Sequence, residues 1–452
     1  MTKVLIDACE AVVTMDDAGT EIPGGSILIE DGVIAWVGSG EPAGAEDAER
    51  VDGRGAVALP GLINTHHHMY QAMTRARAQA DVLFGWLEEL YPVWAHLSAE
   101  WERAAARVAL AELALSGCTL SMDHHYVFPT GVTGLLEAEI EAAREIGLRF
   151  HPCRGSMDLS EKDGGLPPDS VVQDTDTVLA ETEEAVRRFH DPAASSMLRI
   201  AVAPCSPFTA TERLMREAAD LARRLGVRMH THIAETLDEE AYCLERFGRR
   251  PVELLDDWGW LGPDVWLAHC VHLNDRDIQR IAETGSGVAW CPTSNMRIAS
   301  GIAPARALLD AGATVGLGVD GSASNDAGDM IGEVRQGLLV SRAGMDPKAM
   351  SVREAIRVAT RGSAACLGQD GEVGSLEPGK RGDIALFPVD GLAFAGAEAD
   401  LVAAVVLSSS RRVRDLFVEG RLVVEGGRLV NADEDAIAAE GRRVGSTIAG
   451  QM

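Results

Sequence analysis

The sequence predicts an α/β protein: a (β/α)8 TIM-like barrel over residues 59–369, with a small β-sandwich domain assembled from 1–58 and 370–452. Three observations predict it. Strand-like runs alternate with amphipathic stretches through the middle of the chain. Both ends carry short β-like runs punctuated by Gly and Pro. Three polar motifs, His66-His67-His68, His232-Ile-Ala-Glu235 and Asp320-Gly-Ser, each close a run that reads as a buried strand. Such groups converge only if the strands close, and a parallel barrel gathers its chemistry at the C-terminal strand ends.

The N-terminal runs are Lys3-Val-Leu-Ile-Asp, Gly25-Ser-Ile-Leu-Ile and Gly32-Val-Ile-Ala-Trp-Val-Gly. Eight barrel strands are expected at Ala58–Asn64, Cys118–Asp123, Leu148–Cys153, Leu198–Ala203, Val227–His232, Val265–His269, Gly287–Cys291 and Thr314–Val319. Helical stretches fall at Trp101–Ser116, Glu212–Leu225 and Ala303–Ala311. A doubly wound open sheet has the same alternation; the convergence of the motifs favours the barrel. Met69–Leu97 and Gly155–Asp176 read as long loops that shape a pocket or cover it. The C-terminal runs at Asp383–Phe387, Val402–Leu407, Val413–Val418 and Arg421–Glu425 read as strands again.

Composition narrows the function. The chain has 452 residues, 46% hydrophobic, with a formal net charge of −28. An acidic chain without a basic surface is a poor nucleic-acid binder. The start lacks the apolar stretch of a signal peptide, and no apolar run is long enough to span a bilayer. Eight cysteines without regular spacing read as reduced buried thiols. A cytoplasmic enzyme acting on a small molecule is expected, with a homodimer or higher homo-oligomer suggested by its apolar terminal strands and long loops.

In Leu62-Ile-Asn-Thr-His66-His67-His68, strand alternation puts 62, 64, 66 and 68 on one face. His66 and His68 can then enter the barrel mouth as a two-ligand clamp while His67 points away, although ordinary polar histidines fit this motif equally well. His230 and His232 share a face; His232, nearer the strand end, is the better ligand, and His230 suits a deeper hydrogen-bonding role. Glu235 lies just beyond and reaches substrate, unless it is a solvated loop carboxylate. Asp320 follows Thr314, Gly316 and Gly318, inward positions small enough to leave room for a neighbour or ligand. As an alternative, Asp320 suits a helix N-cap. His269 would orient a nucleophile or stabilise a developing oxyanion; His272 reads as structural. The only lysines are Lys3, Lys162, Lys348 and Lys380, none near the fourth strand, so no bridging lysine is available for a second metal. One Zn2+, with Fe2+ as the other candidate, matches the N/O donor set.

Pro60-Gly-Leu-Ile-Asn-Thr-His-His-His, His230-Thr-His-Ile-Ala-Glu-Thr, Leu267-Ala-His-Cys-Val-His and Gly318-Val-Asp-Gly-Ser-Ala-Ser-Asn-Asp resemble the amidohydrolase superfamily. The chain is similar to its mononuclear aminohydrolases, and within them to the 8-oxoguanine deaminases. That resemblance implies metal ligands His66, His68, His232 and Asp320, a proton shuttle Glu235 and an electrostatic residue His269. It implies a hydrolytic deaminase of an aminated oxopurine, with isoxanthopterin or s-triazine aminohydrolase as alternatives and a cyclic amidase further off. Two places depart from the branch: Trp290 precedes Cys291-Pro, and Cys270-Val271 follows His269. Substrate contacts are expected from Gln71, Trp86, Tyr126, Arg154 and Asn295, although Arg154 equally suits an ion pair and Trp86 lid packing. His124 and His125 are expected just behind the ligands. Cys118, Cys153, Cys205 and Cys291 read as core thiols, with no base placed to activate them.

Overall fold

A computed structural model describes residues 2–408 and 412–450. Residues 1, 409–411, 451 and 452 of the expected terminal module lie outside the described residues.

Eight parallel strands build the barrel: β1 Leu62–Asn64, β2 Cys118–His125, β3 Arg149–Ser156, β4 Ala201–Pro204, β5 Met229–Ile233, β6 Val265–His269, β7 Gly287–Trp290 and β8 Thr314–Leu317. Neighbours pair in sequence order from β1 to β8. The last seam closes through single bonds beyond the named strands. Thr65 N donates to Leu317 O at 3.0 Å and Asp320 N to His66 O at 2.9 Å. The Asn64 side chain completes it, accepting from Val319 N at 2.9 Å.

The helices that bear on the site are α1 Leu83–Trp94, α2 Ala99–Leu115, α3 Leu135–Ile146, α4 Thr175–Phe189, α5 Glu212–Leu225 and α6 Leu237–Phe247. Ser98, Asp174, Thr211 and Thr236 cap α2, α4, α5 and α6 by accepting a backbone N–H two or three residues into the helix. Outward strand residues such as Leu62, Met229, Leu267 and Val315 pack against this helical layer. Ile63, Leu120, Met122, Cys153, Ala201, Ala203, Trp266 and Ala289 fill the barrel interior, together with Ala364, Cys366, Leu367 and Val373 from a segment pressed against its floor.

Both chain ends contribute to one seven-stranded sheet. Ala56–Pro60 pairs antiparallel with Ile384–Pro388, which pairs with Asp415–Val418. A four-stranded sheet formed by Lys3–Asp7, Gly25–Glu30, Val33–Ser39 and Glu49–Asp52 covers one face. Ile6, Ile27, Ile29, Ala58, Ile384 and Leu386 lie between the two sheets. Val57, Leu59 and Phe387, on the other face, join the core that surrounds the barrel.

Four expectations need correction. The run Ala58–Asn64 is two strands in two sheets, broken at Gly61; a Cβ at Gly61 would sit 2.1 Å from Thr119 Oγ1. The Met69–Leu97 stretch is largely helical: Met69–Thr74 forms a 3-10 turn and Leu83–Trp94 is α1. Val402–Leu407 is not a strand; Leu401–Leu407 is a helix capped by Asp400, whose carboxylate accepts from Ala403 N. The alternation through β1 is also reversed. Leu62 faces the outer layer and Ile63 the interior. His66 and His68 lie beyond the strand, which stops at Asn64, and both still reach Asp320.

Candidate metal centre and substrate cavity

The centre is built from strand ends. Asp320, His269 and Ala234 all adopt positive φ, at 65°, 72° and 52°. Left-handed backbone at non-glycine residues costs energy and concentrates at functional sites. It lets the chain leave the strand while the side chain stays over the barrel axis. Gly318 is needed for the same reason: a Cβ there would lie 2.7 Å from His66 Cβ.

Hydrogen bonds set the imidazole tautomers. His68 Nδ1 donates to His124 O at 2.7 Å, and His232 Nδ1 to Cys205 O at 2.7 Å. Each neutral ring therefore has a bare Nε2, and the two Nε2 atoms stand 3.0 Å apart. His230 Nδ1 donates to Trp266 O at 2.8 Å, so His230 Nε2 accepts from His66 Nδ1 at 2.8 Å. This leaves His66 Nε2 bare as well, buried and without a hydrogen-bond partner. Asp320 Oδ1 lies 3.3 Å from His66 Nε2 and 3.4 Å from His68 Nε2. Four lone-pair donors thus converge, and burial holds all three histidines below their usual pKa and neutral. Mutual repulsion among them is relieved by a cation, and N/O donors in this number suit a divalent metal.

Asp320 is braced further: Ser294 Oγ and Ser324 Oγ donate to its Oδ2 at 2.6 and 2.9 Å. Burial pushes its pKa up, but its polar and charged surroundings outweigh this and hold it well below the usual carboxylate range. Glu235 Oε2 lies 3.5 Å from His269 Nε2, and Ser300 Oγ donates to its other oxygen at 3.2 Å. Burial raises the Glu235 pKa. Burial alone would lower His269; the carboxylates of Glu235 and Asp320 reverse that and raise it. The backbone N–H groups of Ala234 and Glu235 both donate to the buried Glu239 carboxylate, at 2.9 and 2.8 Å.

A small cavity opens over these groups. His68, His232, Glu235, His269 and Asp320 line its base; Gln71, Trp86 and Tyr126 line its wall, with apolar Leu83, Leu87, Phe208 and Ile298. Gln71 Nε2 is buried and unpartnered. Trp86 Nε1 donates to Ala323 O at 3.2 Å, and Tyr126 packs edge-on against His68.

Two expected substrate contacts are placed elsewhere. Arg154 is not on the cavity wall. Its neighbour Cys153 faces the barrel interior, so Arg154 points out toward α4, where it pairs with Glu181 and Gln173 and stacks on Phe128. Asn295 sits behind His269, whose Nδ1 donates to its Oδ1 at 3.0 Å. His124 lies behind the ligands as expected, stacked on His232 with its carbonyl held by His68. His125 faces the other way, toward Glu102. Cys205 lines the cavity, yet burial pushes its thiol up to about 12, which keeps it protonated. Glu239, Ser294, Ser300 and Ser324 were not singled out by sequence reasoning. Glu239 lies four residues from Glu235 and Ser324 four from Asp320, the spacing of one turn.

The amidohydrolase family model matches residues 57–423. The chain belongs to that family. An 8-oxoguanine deaminase from Pseudomonas aeruginosa is 47% identical over 427 residues, covering 94% of this chain and 95% of that one. A hydroxydechloroatrazine ethylaminohydrolase from Pseudomonas sp. (strain ADP) is 37% identical, covering 97% and 94%. The solved atrazine chlorohydrolase from Arthrobacter aurescens TC1, complexed with zinc, superposes with a TM-score of 0.93 at 35% identity, over 98% of this chain and all of that one. This amidohydrolase is an enzyme with a barrel-mouth metal centre. Both departures from the 8-oxoguanine deaminase pattern lie off the cavity wall. Trp290 packs outward over Gly337, and Cys270 and Val271 belong to the outer core.

Proposed function

We propose that this amidohydrolase is a zinc-dependent hydrolytic deaminase of an aminated oxopurine, converting 8-oxoguanine and water to urate and ammonia. One catalytic Zn2+ is held by His66, His68, His232 and Asp320. When bound, the metal supplies Lewis acidity and lowers the pKa of water toward neutrality.

Glu235 is the observation that carries the reading. Attack on an aromatic amidine carbon requires the adjacent ring nitrogen to be protonated, whereas amide hydrolysis does not. A buried carboxyl whose pKa burial raises, at the cavity base beside His269, is suited to carry a proton to that nitrogen. Asp320, kept ionised, receives the proton released by the nucleophile and passes it to the departing amine. His269, fixed by Asn295, orients the nucleophile from the other side. The free Gln71 amide N–H binds a ring carbonyl or ring nitrogen, and Trp86 and Tyr126 bound the planar ring.

Zinc-loaded protein should release urate and ammonia from 8-oxoguanine, followed by ultraviolet absorbance. Isoxanthopterin and hydroxyatrazine run in parallel. Turnover of either in place of 8-oxoguanine would keep the deaminase and overturn the purine.

The same reading places the enzyme in the cytoplasm as a homodimer or larger assembly. All eight cysteines are unpaired and buried, in keeping with a reducing compartment. Exposed Leu237, Leu244 and Ile302 offer apolar surface for association, which light scattering would detect. Among the described residues no helix is long and apolar enough to cross a membrane.

A further inference from the structure

A second cluster of metal-ligating side chains lies on the far side of β2 from the catalytic centre. β2 contributes Asp123 and His125, α2 contributes Glu102 and α3 contributes Glu139. All four are fully buried. Three carboxyl groups in a dry interior would ordinarily be paired with Arg or Lys. Among the described residues no arginine or lysine forms an ion pair with any of them; the one basic neighbour is His125.

The imidazole is what points to a ligand. His125 Nε2 donates to Val127 O at 3.0 Å, so its bare nitrogen is Nδ1. That Nδ1 is aimed into the cluster, 3.5 Å from Glu102 Oε2, with no hydrogen-bond partner. Both oxygens of Glu102, both of Glu139 and Oδ2 of Asp123 likewise receive no N–H or hydroxyl donor, and the Asp123 and Glu139 carboxyls approach closely enough to share a proton. The His125–Glu102 contact is favourable only if a proton or a metal cation lies between the lone pair and the carboxyl. Donor atoms of Glu102, His125 and Glu139 lie within 4.8 Å of one another. Ligands about 2.0–2.2 Å from an ion stand up to about 4.4 Å apart, so small side-chain adjustments close the shell.

We propose that Glu102, Asp123, His125 and Glu139 form a second, structural site for a divalent cation, distinct from the catalytic metal. One imidazole with carboxylates suits Zn2+ or Mn2+ better than Mg2+. The ion neutralises two of the three carboxylates, and the third keeps a proton. The site ties α2 and α3 to β2. It also reaches the catalytic segment, because Asp123 Oδ1 accepts from Met69 N, one residue past His68, at 2.7 Å. The Tyr70 ring packs against His125 there.

The test is metal analysis of the full chain refolded with Zn2+ or Mn2+ alone, with anomalous diffraction at the metal edge. Two ions per chain are expected, one peak at the His66 cluster and one among Glu102, His125 and Glu139. The Glu102→Gln/Glu139→Gln double variant should lose one ion and keep the His66 peak. A single peak at the His66 cluster in fully loaded wild-type protein would overturn the proposal and leave the carboxyls as proton-sharing acids. The wild-type map decides even if the double variant does not fold.

Discussion

Glu235→Gln separates metal binding from proton delivery. The amide keeps the shape and the Ser300 contact but has no acid proton to give, so metal content should stay at the wild-type level. Turnover should fall by about 10²–10⁴-fold or more, the range for general acid catalysis; near-wild-type turnover would remove the shuttle role. Gln71→Leu should raise KM with the metal retained, because a substrate carbonyl loses its donor, and about tenfold in kcat/KM is the scale of one such bond. Arg154→Met should leave kcat/KM within about twofold and lower stability by about 1–2 kcal/mol through the lost Glu181 and Phe128 contacts. A large loss of kcat/KM would return Arg154 to the substrate. The convergence of His66, His68, His232 and Asp320 was legible at this scale because a metal site needs particular atoms at particular spacing. The Arg154 and Asn295 placements were not. Both lie near strand ends, and only the direction of the side chain separates a wall residue from one behind it.

At the scale of elements, Gly318→Ala should act on the metal without touching a ligand. The added methyl would press on His66 Cβ and the His66 backbone. Metal affinity should drop by roughly 10–100-fold, the scale of disturbing a ligand's support, as read by competition with a chelator. Unchanged affinity would show that β1 yields easily. The sequence foretold Gly316 and Gly318 as inward gaps, and these gaps hold Ser363 and His66. Val402–Leu407 misled because a short apolar run carries no period of its own; Asp400 supplied the cap signal that marks a helix. Likewise Leu83, Leu87, Leu90, Tyr91 and Trp94 carry helical spacing within a stretch whose length alone suggested a loop.

For the whole molecule, buried carboxyls set the pH dependence of stability. Burial raises Glu239 to about 7 and Glu333 to about 8. Both titrate near 4.5 when unfolded, so the native state holds the extra protons between these values. Their contribution is complete below about pH 4.5 and is lost as pH rises through 7 and 8. The thermal midpoint of metal-saturated protein should therefore fall between about pH 5 and 8, and Glu333→Gln should flatten the upper part of that fall; a flat wild-type profile would contradict it. The barrel was readable from alternation and convergence. The joining of both chain ends in one β module was readable from their shared texture, but the pairing of Ala56–Pro60 with Ile384–Pro388 was not, because long-range register leaves no local mark. The segment pressed against the barrel floor has a kinetic consequence. Ala364, Cys366, Leu367 and Val373 pack into the barrel interior, so among the described residues the barrel has no open bore from floor to mouth. Ammonia and the spent ring then leave on the side where the next molecule arrives, and slower release of either product should show as product inhibition.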